Sequence, residues 1–159
     1  MKFIVTLLLF LPLLVSGQEL TLPKNNQVAV GILFSEFSGL KLDLMYERVI
    51  NKKHFLSIAG NSNFRGSYGM RVGYKYSILD YKKFKFLIGI DFRMENYKSS
   101  ASPSTMLKVR NLEFPFEIRY ALNEKYSLLG GISTATSLIE TDTENYFINN
   151  MKVGFLYKF

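Results

Sequence analysis

His54 is the one histidine of the chain, and Ser57 follows three residues later. A histidine, a hydroxyl and a carboxylate that converge supply the base, nucleophile and orienting group of acyl transfer. On an extended chain, however, positions i and i+3 lie on opposite faces, so this pair diverges. A polar histidine at an interface is the favoured reading. Asp91 with Glu95, and Glu113 with Glu117, are carboxylates four residues apart. Such pairs can divide general acid and general base work, but Arg93 and Arg119 are interleaved with them. Acids and guanidinium groups placed this way read first as ion pairs, because buried charge is tolerated only when paired. Glu140, Asp142 and Glu144 could gather a divalent cation, although neighbouring acids in a polar loop are usually just solvated. There is no cysteine, which excludes disulfides, thiolate metal sites and an anchor through a lipidated cysteine. No catalytic residue, metal site or cofactor is expected.

The elements that would position these groups are strands. After residues 18–26, a polar lead with Pro23, the chain reads as eight segments of period-two alternation without a helical period. They cover residues 27–35, 39–50, 54–61, 68–78, 84–97, 106–122, 126–136 and 146–159. In the fourth, Tyr68, Met70, Val72, Tyr74, Tyr76 and Ile78 oppose Gly69, Arg71, Gly73, Lys75 and Ser77. The eighth sets Met151, Val153, Phe155, Tyr157 and Phe159 against Lys152, Gly154, Leu156 and Lys158. The third is weakest: Leu56 and Ile58 point one way and Phe55 the other, which leaves its register open. Pro115 removes a backbone donor from the sixth, and a bulge is the expected remedy. Connections after strands two, four and six are tight, the turn after strand four spanning Asp80 to Lys83. Those after strands three, five and seven are longer and more polar. Strands five and six are the longest, so their hairpin should project.

Alternation alone does not say which face is inside. A soluble lipocalin-like barrel shares the period with its apolar face inward. The polar face here carries Gly31, Gly69, Gly73, Gly89, Gly131 and Gly154, as a narrow tube crowded by long side chains requires. It also carries charges of both signs: Lys41, Asp43, Glu47, Arg71, Lys75, Lys85, Asp91, Arg93, Glu95, Glu113, Glu117, Arg119, Lys152 and Lys158. A single Lys or Arg turned to lipid at the bilayer midplane costs about 2–4 kcal/mol. The whole set must therefore line the lumen as an ion-pair network, and the greasy face meets lipid. Tyr46, Tyr74, Tyr76, Tyr120, Tyr126 and Tyr157 fall at the turn end, where an interfacial girdle belongs. Arg48, on the same face, could snorkel there.

The start of the chain fits this reading. Met1-Lys2 is basic, residues 3–15 are nearly all apolar, and Val15-Ser16-Gly17 offers small residues for cleavage. Residues 1–17 are expected to be a cleaved signal peptide, too short in apolar length for a spanning helix. Residues 27–159 would form a single barrel domain. The formal charge of +7 without a basic helical cluster does not suggest nucleic acid; anionic headgroups are the more natural partners.

The signal peptide, the eight amphipathic strands and the ending KVGFLYKF together resemble the small outer-membrane β-barrel family, of the type of the OmpA transmembrane domain and OmpX. The resemblance implies an all-β fold: an eight-stranded antiparallel up-and-down transmembrane β-barrel in a bacterial outer membrane. It also implies that Val153, Phe155, Tyr157 and Phe159 form the C-terminal signature presented to the barrel-assembly machinery. A monomer is expected, contacting outer-membrane lipid and lipopolysaccharide. Arg65, Lys98, Lys108 and Arg110 fall near the expected outer rim, where they could meet lipopolysaccharide phosphates. The expected function is non-enzymatic, with a structural or surface-interaction role. The alternatives are a lipid A-modifying barrel enzyme, a narrow ion or water conduit, and a soluble periplasmic lipocalin-like carrier. Barrel enzymes acting on lipid A use a His, a Ser and an acid near the outer leaflet, whereas His54 follows a short turn at the opposite end.

Overall fold

Alternating side chains over segments of this length favour a pleated ribbon with two unlike faces. In a computed structural model, which describes residues 26–36, 39–63, 66–98, 106–137 and 147–159, eight such ribbons form. They are β1 (Asn26–Ser35), β2 (Gly39–Val49), β3 (His54–Ser62), β4 (Tyr68–Tyr81), β5 (Phe84–Lys98), β6 (Met106–Ala121), β7 (Tyr126–Ser137) and β8 (Phe147–Lys158). Each pairs antiparallel with the next, and β8 returns to β1 to close the barrel. The closing ladder runs from Gln27 opposite Lys158 to Ser35 opposite Asn150. Closure leaves no strand edge, the condition for a sheet in a solvent that offers no hydrogen bonds.

The two faces are sorted as that solvent demands. Outward positions are apolar and uncovered, with Val153 at 66% and Phe155 at 63% exposure, and Val30, Leu42, Val72, Ile90 and Phe114 exposed beside them around the circumference. An exposed apolar belt of this extent is foreign to water-soluble monomers. Inward positions hold the charges, with Arg93 at 1% and Glu113 at 0%. A lipocalin-like sorting would be the inverse. In β3, Leu56 and Ile58 face out and Phe55 is buried, so the dissenting residue is the inward one.

Two local expectations are corrected. The β5–β6 register does not shift at Pro115: Ile88 opposes Phe116 and Asp91 opposes Glu113 on one continuous diagonal, with only the intervening pairs missing. A missing donor interrupts the ladder there without an inserted residue, and Pro115 keeps its place opposite Ser133 of β7. Gly89 makes this possible, since a Cβ there would lie 3.2 Å from the Pro115 ring and 2.5 Å from the Tyr74 carbonyl oxygen. The register shift lies instead in β4, between Ser77 and Leu79. Beyond it the strand continues to Tyr81, which shortens the turn to Lys82-Lys83, with Lys82 at φ 52°.

Candidate functional site

β2, β4, β5, β6 and β8 send charged side chains into the lumen, while β1, β3 and β7 send small, amide or apolar ones. The division follows from room: an eight-stranded tube is just wide enough for side chains. Gly31 and Gly154 face one another across the β1–β8 seam. A Cβ on Gly31 would lie 2.5 Å from the Val153 carbonyl oxygen, and one on Gly73 would collide with the Asp91 carboxylate.

Nearest the turn end, Arg119 grips Glu47 with both terminal nitrogens, Nη1 to Oε1 at 2.7 Å and Nη2 to Oε2 at 2.8 Å. Its Nε donates to Glu117 at 2.5 Å. The Lys75 ammonium bridges the same two acids, at 2.8 Å from Glu117 and 3.4 Å from Glu47. Gln27 donates to Glu47 at 3.1 Å. Planar forks of this kind fix geometry as well as charge. At mid-height, Asp43 takes the Lys152 ammonium at 2.6 Å and Arg71 Nη2 at 3.3 Å. Arg71 Nε reaches Asp91 at 3.3 Å, and Arg93 Nη2 reaches Glu113 at 2.9 Å. Asn150 donates to Glu113 at 3.0 Å, and Ser133 donates to the same carboxylate. Towards the loop end, Lys41 pairs with Glu95.

Twelve of the fourteen charged residues expected in the lumen are buried, six basic and six acidic. Lys85 and Lys158 are not among them. Both are only half-buried, because they stand where the strands outrun the packed tube and inward parity points into an open mouth. Lys85 instead meets Asp80 at 3.3 Å. The sequence reading missed the uncharged partners Gln27, Ser133 and Asn150; their inward parity on charge-free stretches was the available signal. It also missed an apolar cluster inside the lumen, Ala29, Met45, Ala59, Leu129 and Leu156. The Lys75 and Lys152 ammonium groups lie 3.5 and 3.7 Å from the Met45 sulfur. A cavity beside Pro115, bordered by Arg71, Asp91 and Lys152, measures about 20 Å³, room for about one water molecule.

His54 and Ser57 diverge. The histidine Nδ1 lies 2.5 Å from the Tyr74 hydroxyl on the outer face, with the Tyr76 ring edge-on at 5.1 Å, while Ser57 is buried and donates to the Gly73 carbonyl. Aromatic rings gather at the same end: Tyr126 on Tyr157 at 5.3 Å, Tyr157 on Phe159 at 6.0 Å and Tyr120 on Phe84 at 4.9 Å. Arg48 is exposed at the same end, between Asn26 and Leu56 in the ladder. At the loop end, Lys108 and Arg110 are exposed on the outward face of β6, opposite Asn96 and Met94. The side chain of Lys98, and all of Arg65, Glu140, Asp142 and Glu144, lie outside the described residues. Among the described residues, no three His, Asp or Glu side chains come together to hold a metal ion. The β5–β6 ladder continues to Lys98 opposite Met106, beyond the β6–β7 ladder, which stops at Asn111 opposite Ser137.

A closed eight-stranded cylinder with a greasy exterior and an ionic interior is a small transmembrane β-barrel. Its fold is that of the OmpA/OmpX-type barrels. No family model matches the chain, and no curated protein matches its sequence. Solved structures match it in fold. The N-terminal β-barrel domain of Pseudomonas aeruginosa OprF is 10% identical with a TM-score of 0.63, the match covering 84% of this chain and 98% of that one. Neisserial surface protein A is 13% identical with a TM-score of 0.56, over 85% and 95% of the two chains. A de novo designed transmembrane β-barrel is 12% identical with a TM-score of 0.61, over 87% and 98%.

Proposed function

We propose that this chain is a non-enzymatic bacterial outer-membrane barrel with a structural or surface-interaction role. The observation that carries the reading is the filled lumen: twelve buried charges, balanced in sign, knit across five strands. Such a tube offers no wide channel through its middle, so function falls to its two ends. Residues 1–17 act as the secretion signal and residues 18–26 as a periplasmic lead to the barrel at 27–159. The tight turns then face the periplasm and the longer loops face outward, the arrangement usual for such barrels.

Two contacts belong to this reading. Lys108 and Arg110, exposed on the outward face of β6 towards the loop end, would meet lipopolysaccharide phosphates, together with Lys98 at the end of β5. Val153, Phe155 and Tyr157, outward on β8 with Phe159 after them, present the strand to the assembly machinery. The divergence of His54 and Ser57 speaks against acyl chemistry on lipid A. The test is the membrane fraction itself. The protein extracted from outer membranes in detergent should migrate differently on a gel before and after boiling, and should leave the lipid A acyl pattern unchanged when overexpressed. A soluble fraction without heat-modifiable migration would defeat the reading.

A further inference from the structure

The turn-side end of the lumen is a cup of about 240 Å³, floored by Phe55 and Arg119 and walled by Gln27, Asp80, Lys85 and Lys158. Its charge is not balanced. Arg119 is committed to Glu47 and Glu117, and Asp80 is shared with Lys85. Lys158 is half-buried and makes no ion pair among the described residues. The Lys85 ammonium sits 5.1 Å from the Phe55 ring centroid and 3.2 Å from the Lys52 carbonyl oxygen. Lys82 and Lys83 stand on the rim, over the outward rings of Tyr81 and Tyr120, and Lys52, Lys53 and Lys125, with the single acid Glu124, occupy the adjoining turns. Deeper in the same tube every cation is matched by an acid. An excess of positive charge confined to the mouth, around an open cavity, is a site lacking its counter-charge.

From the open cup, the unpaired Lys158 ammonium and the single acid that Lys85 shares there, we infer that the turn-side mouth binds a small multivalent oxyanion, a group carrying phosphates or carboxylates, held between Lys85 and Lys158. Lys82 and Lys83 steer it in from the rim. Phe55 and the committed Arg119 close the floor, so the anion stops at the mouth and does not enter the lumen. The inference goes beyond the proposed role and rests on it only for the compartment that supplies the anion.

The test uses the full barrel in nanodiscs of zwitterionic phosphatidylcholine, titrated with pyrophosphate and with citrate and followed by amide chemical shifts. Both anions should bind, shift Gln27, Lys85 and Lys158, and weaken as salt rises. Losing a charge-assisted contact at each lysine should lower affinity about tenfold or more in the Lys85→Gln/Lys158→Gln variant. The single Lys158→Gln variant should show part of that loss, and Arg48→Gln, on the outward face of the same end and outside the cup, none. Heat-modifiable migration of each variant reports folding separately, and it tests the barrel reading independently of the anion. The inference is overturned if neither anion binds, or if the Arg48→Gln variant loses as much. It is equally overturned if the shifts arise only in nanodiscs containing phosphatidylglycerol, which would make the mouth a headgroup surface.

Discussion

The centre of the lumen and its turn-side mouth are made of the same few residue types, yet they obey different rules. At the centre, Arg71 is 5% exposed and serves Asp43, Asp91 and Glu113 at once. At the mouth, Lys85 shares one exposed acid and Lys158 has none. Out of water, a charge must be matched or it is expelled; beside water, a surplus is tolerated and becomes available to something else. Position along the strand, not residue identity, decides whether a lysine is scaffold or receptor.

That contrast can be broken at the centre. Arg71→Ala should cost about 3–5 kcal/mol, since it strands a buried carboxylate at Asp91, and urea unfolding in lipid measures it. Arg71→Met combined with Asp91→Asn should lose distinctly less, because no bare charge is left behind. An equal loss in both would mean that volume, not charge, holds the middle of the tube. A second change sharpens the packing side of the argument. Gly31→Ala pushes a methyl group into the Val153 carbonyl and the Gly154 backbone across the closing seam and should cost about 1–3 kcal/mol by the same assay. The mouth should answer weakest. Lys158→Gln should alter unfolding free energy by no more than about 0.5 kcal/mol; a loss comparable to that of Arg71→Ala would erase the distinction.

Much of this was open to inspection in the chain because a strand in a membrane is doubly constrained: its period is two and its faces meet opposite solvents. Arg93, Glu113 and Glu117 could be assigned to the interior from neighbours such as Phe92, Leu112 and Phe116 alone. Parity could not say where the interior stops, and so it counted Lys85 and Lys158 with residues they only border. It did not identify which uncharged groups complete the network, since Asn150 and Ser133 are matched to Glu113 by cross-barrel register rather than by local pattern. Pro115 shows the opposite limit. Its lost donor was visible, but the accommodation depends on Gly89, a residue of the facing strand. The cup was invisible altogether, because it joins Gln27, Phe55, Lys85 and Lys158, which only closure of the cylinder brings together.

That closure has a consequence for how the molecule is completed. Seven of the eight strand seams join neighbours in the chain, so each can zip outward from its own connection at small entropic expense. The eighth must bring Gln27 to Lys158 across nearly the whole polypeptide. A cylinder has no half-built form without two bare edges, so arrival of the last strand is a kinetic bottleneck set by topology rather than by any single contact.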